Sequence, residues 1–160
     1  MPTTSRDRGF TLVEAMVTVV LLGAVMAIAV GGYRSWAFAH EQSGAARTLQ
    51  SALRQAQQRA VTEGTSACVT FDVATDTFTV YRGACDNAAK SKVDGPVRTG
   101  SNRVHLEAPA FTTPSGTPTA GVTFTARGTA WPGQVRVTRD RSTKSYVLSV
   151  EGLTGRVSLS

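Results

Sequence analysis

The sequence predicts an α+β fold in which a long N-terminal helix, membrane-spanning in its first half and amphipathic in its second, packs on an antiparallel β-sandwich-like C-terminal domain. Three observations carry this reading. The run from Phe10 to Gly32 is apolar except for one ionisable side chain, Glu14. Beyond it, apolar residues recur at three- and four-residue steps to about Thr62, the period of a helix with one buried stripe. After Gly64 the period falls to two, as in strands with one face turned inward. These changes divide the chain into residues 1–9, a short charged leader; 10–32, an apolar helix; 33–63, its amphipathic continuation; and 64–160, a β-rich domain.

The apolar run, about 23 residues at 1.5 Å each, reaches ~34 Å and can cross a hydrocarbon core. Arg6 and Arg8 precede it with Asp7 between them, and a Lys/Arg bias before a first span holds that end in the cytoplasm, so the remainder is exported. A secretory signal peptide has a shorter apolar core followed by a small-residue cleavage site, whereas Ala27 to Gly32 offers only weak candidates. Glu14 is the anomaly, because a carboxylate in lipid costs roughly 2.5 to 3.5 kcal/mol on insertion scales. Cutting the chain after Gly9 would place the new ammonium of Phe10 one helical turn away, where it can pair with Glu14 or with the same residue of a neighbouring copy. The plain alternative is a single-pass anchor with a stray Glu.

After Gly31-Gly32, which cost roughly 1 kcal/mol each relative to Ala inside a helix and mark a weak point, Ala45, Leu49, Ala52, Leu53, Ala56 and Ala60 form the buried stripe, with Arg47, Arg54 and Arg59 elsewhere. Gly64 is the expected C-terminal cap. Val69, Phe71 and Val73, then Phe78 and Val80, read as a hairpin turning at Ala74-Thr75-Asp76. Further strands are expected at 103–106, 122–126, 134–138, 146–151 and 156–159, with the charged stretch 138–145 joining two of them. Residues 86–120, with Pro96, Pro109, Pro114 and Pro118, are the least regular part, and ordered packing is expected mainly outside them. The exported part is long enough for one core and too short for two comfortable domains.

Cys68 and Cys85 flank the hairpin and face an oxidising compartment after export, where a bridge between them is expected; two reduced thiols are the alternative. No metal or other cofactor is implied, because two Cys without clustered His do not make a tetrahedral shell. The chain carries 17 basic and 11 acidic residues, and loss of residues 1–9 leaves about +5, a charge that attracts polyanions. An enzyme is not expected: His40 falls in the helix and His105 on a strand, each read as a surface residue. The acids are scattered, and no Gly-x-Ser-x-Gly elbow or phosphate loop occurs.

The junction Gly9-Phe10-Thr11-Leu12-Val13-Glu14, with a short basic leader before it and an apolar run after it, resembles the class III signal of type IV pilins and pseudopilins. The resemblance implies that a membrane prepilin peptidase cleaves after Gly9 and methylates the new N-terminus at Phe10. It implies that Glu14 docks the subunit beside other pilins or pseudopilins in a helical filament. The implied partners are membrane lipid before assembly and an inner-membrane assembly platform, and the implied location is the cytoplasmic (inner) membrane and then a pilus or pseudopilus. Local melting of the helix near Gly31-Gly32 on assembly is expected from the same resemblance.

The C-terminal pattern is similar to the GspH/FimT-like domain: Val122-Thr123-Phe124, Gly128, a charged hairpin, then Tyr146-Val147-Leu148-Ser149-Val150 and Gly155-Arg156-Val157. That family comprises minor pilins of type IV pili and minor pseudopilins of type II secretion, each with a helix packed on a β-sandwich. Some FimT-like members bind DNA through a C-terminal Gly-Arg-any-Arg motif, which carries over as Gly155 and Arg156, while Ser158 stands in place of the second Arg. Arg136, Arg139, Arg141, Lys144 and Arg156 are therefore candidate DNA contacts, with Trp131 and Tyr146 as candidate stacking rings; solvated strands and core packing are the plainer readings. Three roles share one anchor and differ in what the exported face touches: a structural minor pilin, a DNA-capturing minor pilin, or a minor pseudopilin of a secretion machine.

Overall fold

The computed structural model describes residues 11–160, except the side chains of residues 30–32 and 34–39. The leader, the cleavage junction Gly9 and Phe10 therefore lie outside the described residues. Among the described residues a single helix, α1 (Leu12–Thr62), is followed by nine strands: β1 (Ala67–Asp72), β2 (Thr77–Arg82), β3 (Ser91–Arg98), β4 (Val104–Thr112), β5 (Pro118–Thr119), β6 (Gly121–Phe124), β7 (Gly133–Arg139), β8 (Tyr146–Val150) and β9 (Val157–Leu159). The chain forms two compact units, Met1–Phe38 and Ala39–Ser160.

In the first unit, Thr11 starts the helix. Its carbonyl accepts the first helical bond from the amide of Ala15 at 3.1 Å, and its Oγ1 accepts the amide of Glu14 at 3.2 Å, which satisfies one of the donors a helix start leaves open. The stretch Leu12–Ala29 is long and apolar enough to cross a membrane and is wholly exposed. Leu12, Val20 and Ile28 are 76%, 70% and 79% exposed, and an apolar surface of this extent marks a membrane or protein contact.

In the second unit, the rest of α1 and two antiparallel sheets share one core. Ala45, Leu49, Leu53, Ala56 and Ala60 are buried as the stripe predicts, and Ala46 and Gln42 widen it. The helix ends at Thr62, and Gly64 takes a left-handed conformation with φ of 63°, which a residue bearing a Cβ adopts only at a cost. One sheet has the order β3-β2-β1-β6 and the other β5-β4-β7-β8-β9. Val69, Phe71, Phe78, Val80, Val122 and Phe124 from the first meet Val104, Leu106, Phe111, Val135, Val137, Leu148, Val150 and Val157 from the second. Phe71 and Phe111 stack across the gap with ring centroids 5.6 Å apart, and both sheets lose their apolar faces to the same interior.

The hairpin pairs Cys68 with Tyr81 through Asp72 with Thr77 in unbroken register. Val73 falls in the turn and is exposed, so β1 is one alternation shorter than the sequence pattern implies. The larger correction concerns residues 86–120, which hold β3, β5 and β4, the last extending the strand expected at 103–106 on to Thr112, and which supply Val104, Leu106 and Phe111 to the core. Proline escapes its usual exclusion from sheets here by position. Pro96 lies on the edge strand β3, Pro118 starts the short edge strand β5, and Pro109 sits at the irregularity in β4 between Glu107 and Ala110, where Ala108 has φ of 45°.

A candidate assembly helix and a dispersed basic surface

Two groups of side chains bear on function, one in each unit. In the first, Glu14 is exposed on the first turn of α1, within the apolar surface, and its carboxylate has no ion-pair partner among the described residues. Sequence reasoning passed over Thr11, although the spacing Thr11-x-x-Glu14 is the pattern of a helix-starting box.

In the second unit, the candidate DNA contacts do not converge. Arg136 is exposed at the middle of β7, where it stands directly opposite Glu107 of β4, whose Oε1 also accepts the Thr138 hydroxyl at 2.9 Å. Arg139 ends β7 in register with Val104, on the face turned toward the core, and is only half-exposed. Arg141 and Lys144 are exposed on the β7–β8 loop, with Arg141 at φ of 58°. Arg156 lies beyond the far end of β8, whose five residues at about 3.4 Å each put roughly 17 Å of strand between it and that loop. Trp131 is buried, and Tyr146 is half-buried against the core.

Gly155, the first residue of the carried-over motif, has a structural duty. It has φ of 61°, and a Cβ there would run into the Gly128 carbonyl and come within 2.5 Å of Gln57 Nε2. That amide donates to the carbonyls of Gly128 and Thr154, both at 3.1 Å, and so ties α1 to the β6–β7 and β8–β9 loops. Arg54 and Gln50 of α1 likewise donate to the Val157 carbonyl, at 3.2 and 3.3 Å. The β7–β8 loop is held the same way, since buried Gln42 donates to the carbonyls of Lys144 at 2.8 Å and Val137 at 3.2 Å. A row of amide and guanidinium donors along α1 thereby satisfies carbonyls at sheet and loop ends, and hydrophobic patterning gives no hint of it.

Cys68 of β1 and Cys85 form a disulfide, S–S 2.06 Å. The Cys85 amide donates to Thr123 Oγ1 at 2.9 Å, and Lys90 Nζ donates to the Cys85 carbonyl at 2.7 Å, which pins the 83–90 loop beside β6. His105 is not the plain surface residue expected: Nδ1 lies 2.9 Å from Asp76 Oδ2 and Nε2 lies 3.2 Å from Asp140 Oδ1, so acids distant in sequence meet on one ring. Among the described residues no cluster of His, Cys, Asp and Glu is placed to hold a metal ion.

Residues 45–154 match the family model of the type II transport protein GspH, and residues 4–30 match that of the prokaryotic N-terminal methylation motif. Among curated proteins there is no match. The fold is similar to that of the minor pseudopilin EpsH from the type 2 secretion system of Vibrio cholerae, with TM-score 0.56 and 16% identity, covering 75% of this chain and 96% of that one. It is also similar to the type IV minor pilin FimU of Pseudomonas aeruginosa, with TM-score 0.52 and 22% identity, covering 76% and 89%. With one model spanning more than half of its length and the methylation motif ahead of it, the chain belongs to the GspH family of minor pilin and pseudopilin subunits.

Proposed function

We propose that this protein is a minor subunit of a type IV pilus or related filament, held in the cytoplasmic (inner) membrane by its apolar helix until an assembly platform there moves it into the fibre. The observation that carries the reading is the wholly exposed Leu12–Ala29 segment with one carboxylate, Glu14, on its first turn. Cleavage after Gly9 by prepilin peptidase creates the ammonium of Phe10, and Glu14 takes that charge from itself or from a neighbouring subunit. A salt bridge removed from water is strongly dependent on both partners, so it aligns subunits in register as well as joining them.

The test is Glu14→Ala in cells that assemble the filament. Cleavage after Gly9 is expected to stay nearly intact while incorporation into filaments is lost, and normal incorporation would refute the assignment.

DNA capture is a second reading, favoured by the exposure of Arg141 and Lys144 on one tethered loop. Phosphate contacts from Arg139, Arg141 and Arg156 would give sequence-independent binding that weakens with salt. Binding of the detergent-solubilised protein to duplex DNA, with and without the Arg139→Ala/Arg141→Ala/Arg156→Ala triple substitution, decides it. A salt slope that the triple variant leaves unchanged would remove the reading.

A further inference from the structure

Both ring nitrogens of His105 face carboxylates, and only the imidazolium can donate to both at once. The two carboxylates are unlike. Asp76 is buried in the β1–β2 turn, at φ of 54°, and its Oδ1 also accepts the Leu106 amide at 2.9 Å. Its carbonyl accepts the Thr99 amide at 3.0 Å, so the whole residue is fixed between the two sheets. Asp140 is exposed at the start of the β7–β8 loop, where its amide donates to the Arg103 carbonyl at 2.9 Å.

We infer that His105 is a pH-sensitive latch on the β7–β8 loop: as imidazolium it fastens the Asp140 carboxylate to β4, and on losing its Nε2 proton it releases that carboxylate while keeping its bond to Asp76.

The order of events follows from burial. A neutral ring holds one proton, and the buried Asp76 carboxylate loses more by going without a donor than the solvated Asp140 carboxylate does. The proton therefore stays on Nδ1, and Nε2 turns a lone pair toward Asp140, which repels it. The charged groups around the ring are Asp76 from the β1–β2 turn, Asp140 with its neighbours Arg139 and Arg141 from the β7–β8 side, Arg103 just before β4, and Glu107 two residues after His105 on β4. The balance favours the cation: the hydrogen bond that the ring donates to Asp76 first, and then the charge of both carboxylates and the bond to Asp140, hold the imidazole above its ordinary value against some loss of hydration. What the latch governs is the order of residues 140–145, which carry Arg141 and Lys144.

The experiment is a titration of the full-length protein in detergent micelles, carrying nitrogen-15 histidine, with amide exchange of residues 140–145 followed at each pH and corrected for its intrinsic pH dependence. The ring signals of His105 are assigned by their loss in His105→Gln. Three results are expected: a midpoint above about 6.5, the Nδ1–H tautomer at high pH, and exchange in residues 140–145 rising roughly two- to fivefold through the midpoint, the range an exposed ion pair supports. The Leu106 amide is expected to stay protected throughout. Asp140→Asn, which leaves the buried bond untouched, is expected to lower the midpoint and to abolish the exchange step. The Nε2–H tautomer at high pH, or loop exchange indifferent to the ionisation of His105, would overturn the inference.

Discussion

Replacement of Gly155 by alanine separates a structural glycine from a recognition motif. At φ of 61° an alanine pays roughly 1 kcal/mol for its left-handed backbone. Its Cβ would also strike the Gly128 carbonyl and the Gln57 amide, and moving that amide forfeits both of its bonds, to Gly128 and to Thr154. At about 1 kcal/mol net for each bond, the total comes to about 3 kcal/mol. Urea unfolding followed by tryptophan fluorescence reads this directly: with a slope of about 2 kcal/mol per molar, the midpoint is expected to fall by about 1.5 M. Arg156→Ala is the control, since the side chain is exposed and its loss is expected to change stability by no more than about 0.5 kcal/mol. If the two variants unfold at the same urea concentration, the argument from the Gly128–Gln57–Gly155 contact is wrong.

Opening the disulfide by Cys68→Ser/Cys85→Ser frees a loop spanning a sequence separation of 17, worth about 3 kcal/mol in the chain-entropy model, and the loss is expected as a lowered urea midpoint with the secondary structure retained. Leu53→Ala empties a fully buried position where α1 meets the shared core and is expected to cost about 3 kcal/mol in the same assay; a loss below about 1 kcal/mol would show that the helix is less firmly seated than its burial indicates. The raised value of His105 gives stability a pH dependence of defined sign. Its contribution is fully present below about 6.5, the value in the unfolded chain, and is lost as pH rises through the higher folded value. Urea midpoints measured from pH 6 to 9 are expected to show this loss in the native protein relative to Asp140→Asn, and parallel curves would contradict it.

The parts of this fold legible in the sequence are those where one period holds over several turns or alternations. The stripe from Ala45 to Ala60 and the pairing of Val69 and Phe71 with Val80 and Phe78 are of that kind, and Gly64 ends the helix where its backbone freedom is needed. β3, and the part of β4 beyond Leu106, escape notice for two physical reasons. β3 is an edge strand exposed along most of its length, so Lys92, Asp94 and Pro96 protect it from further pairing and leave no alternation to read. β4 alternates through Val104 and Leu106, but the irregularity at Ala108 and Pro109 shifts the phase before Phe111. The candidate sites divide likewise. Glu14 stands out against an apolar background, whereas Asp76, His105 and Asp140 meet only through two sheets and a loop, and the inward turn of Arg139 depends on its register with Val104.

Removal of residues 1–9 and entry of the apolar helix into a filament are what the proposed role requires of this chain. The mass and N-terminal sequence of the membrane-extracted protein, made together with a prepilin peptidase, test it most directly. The expected product is a chain that starts at Phe10 and carries one methyl group on its amine. A chain that keeps residues 1–9, or one cut between Ala27 and Gly32 and released from the membrane, would contradict the proposed role.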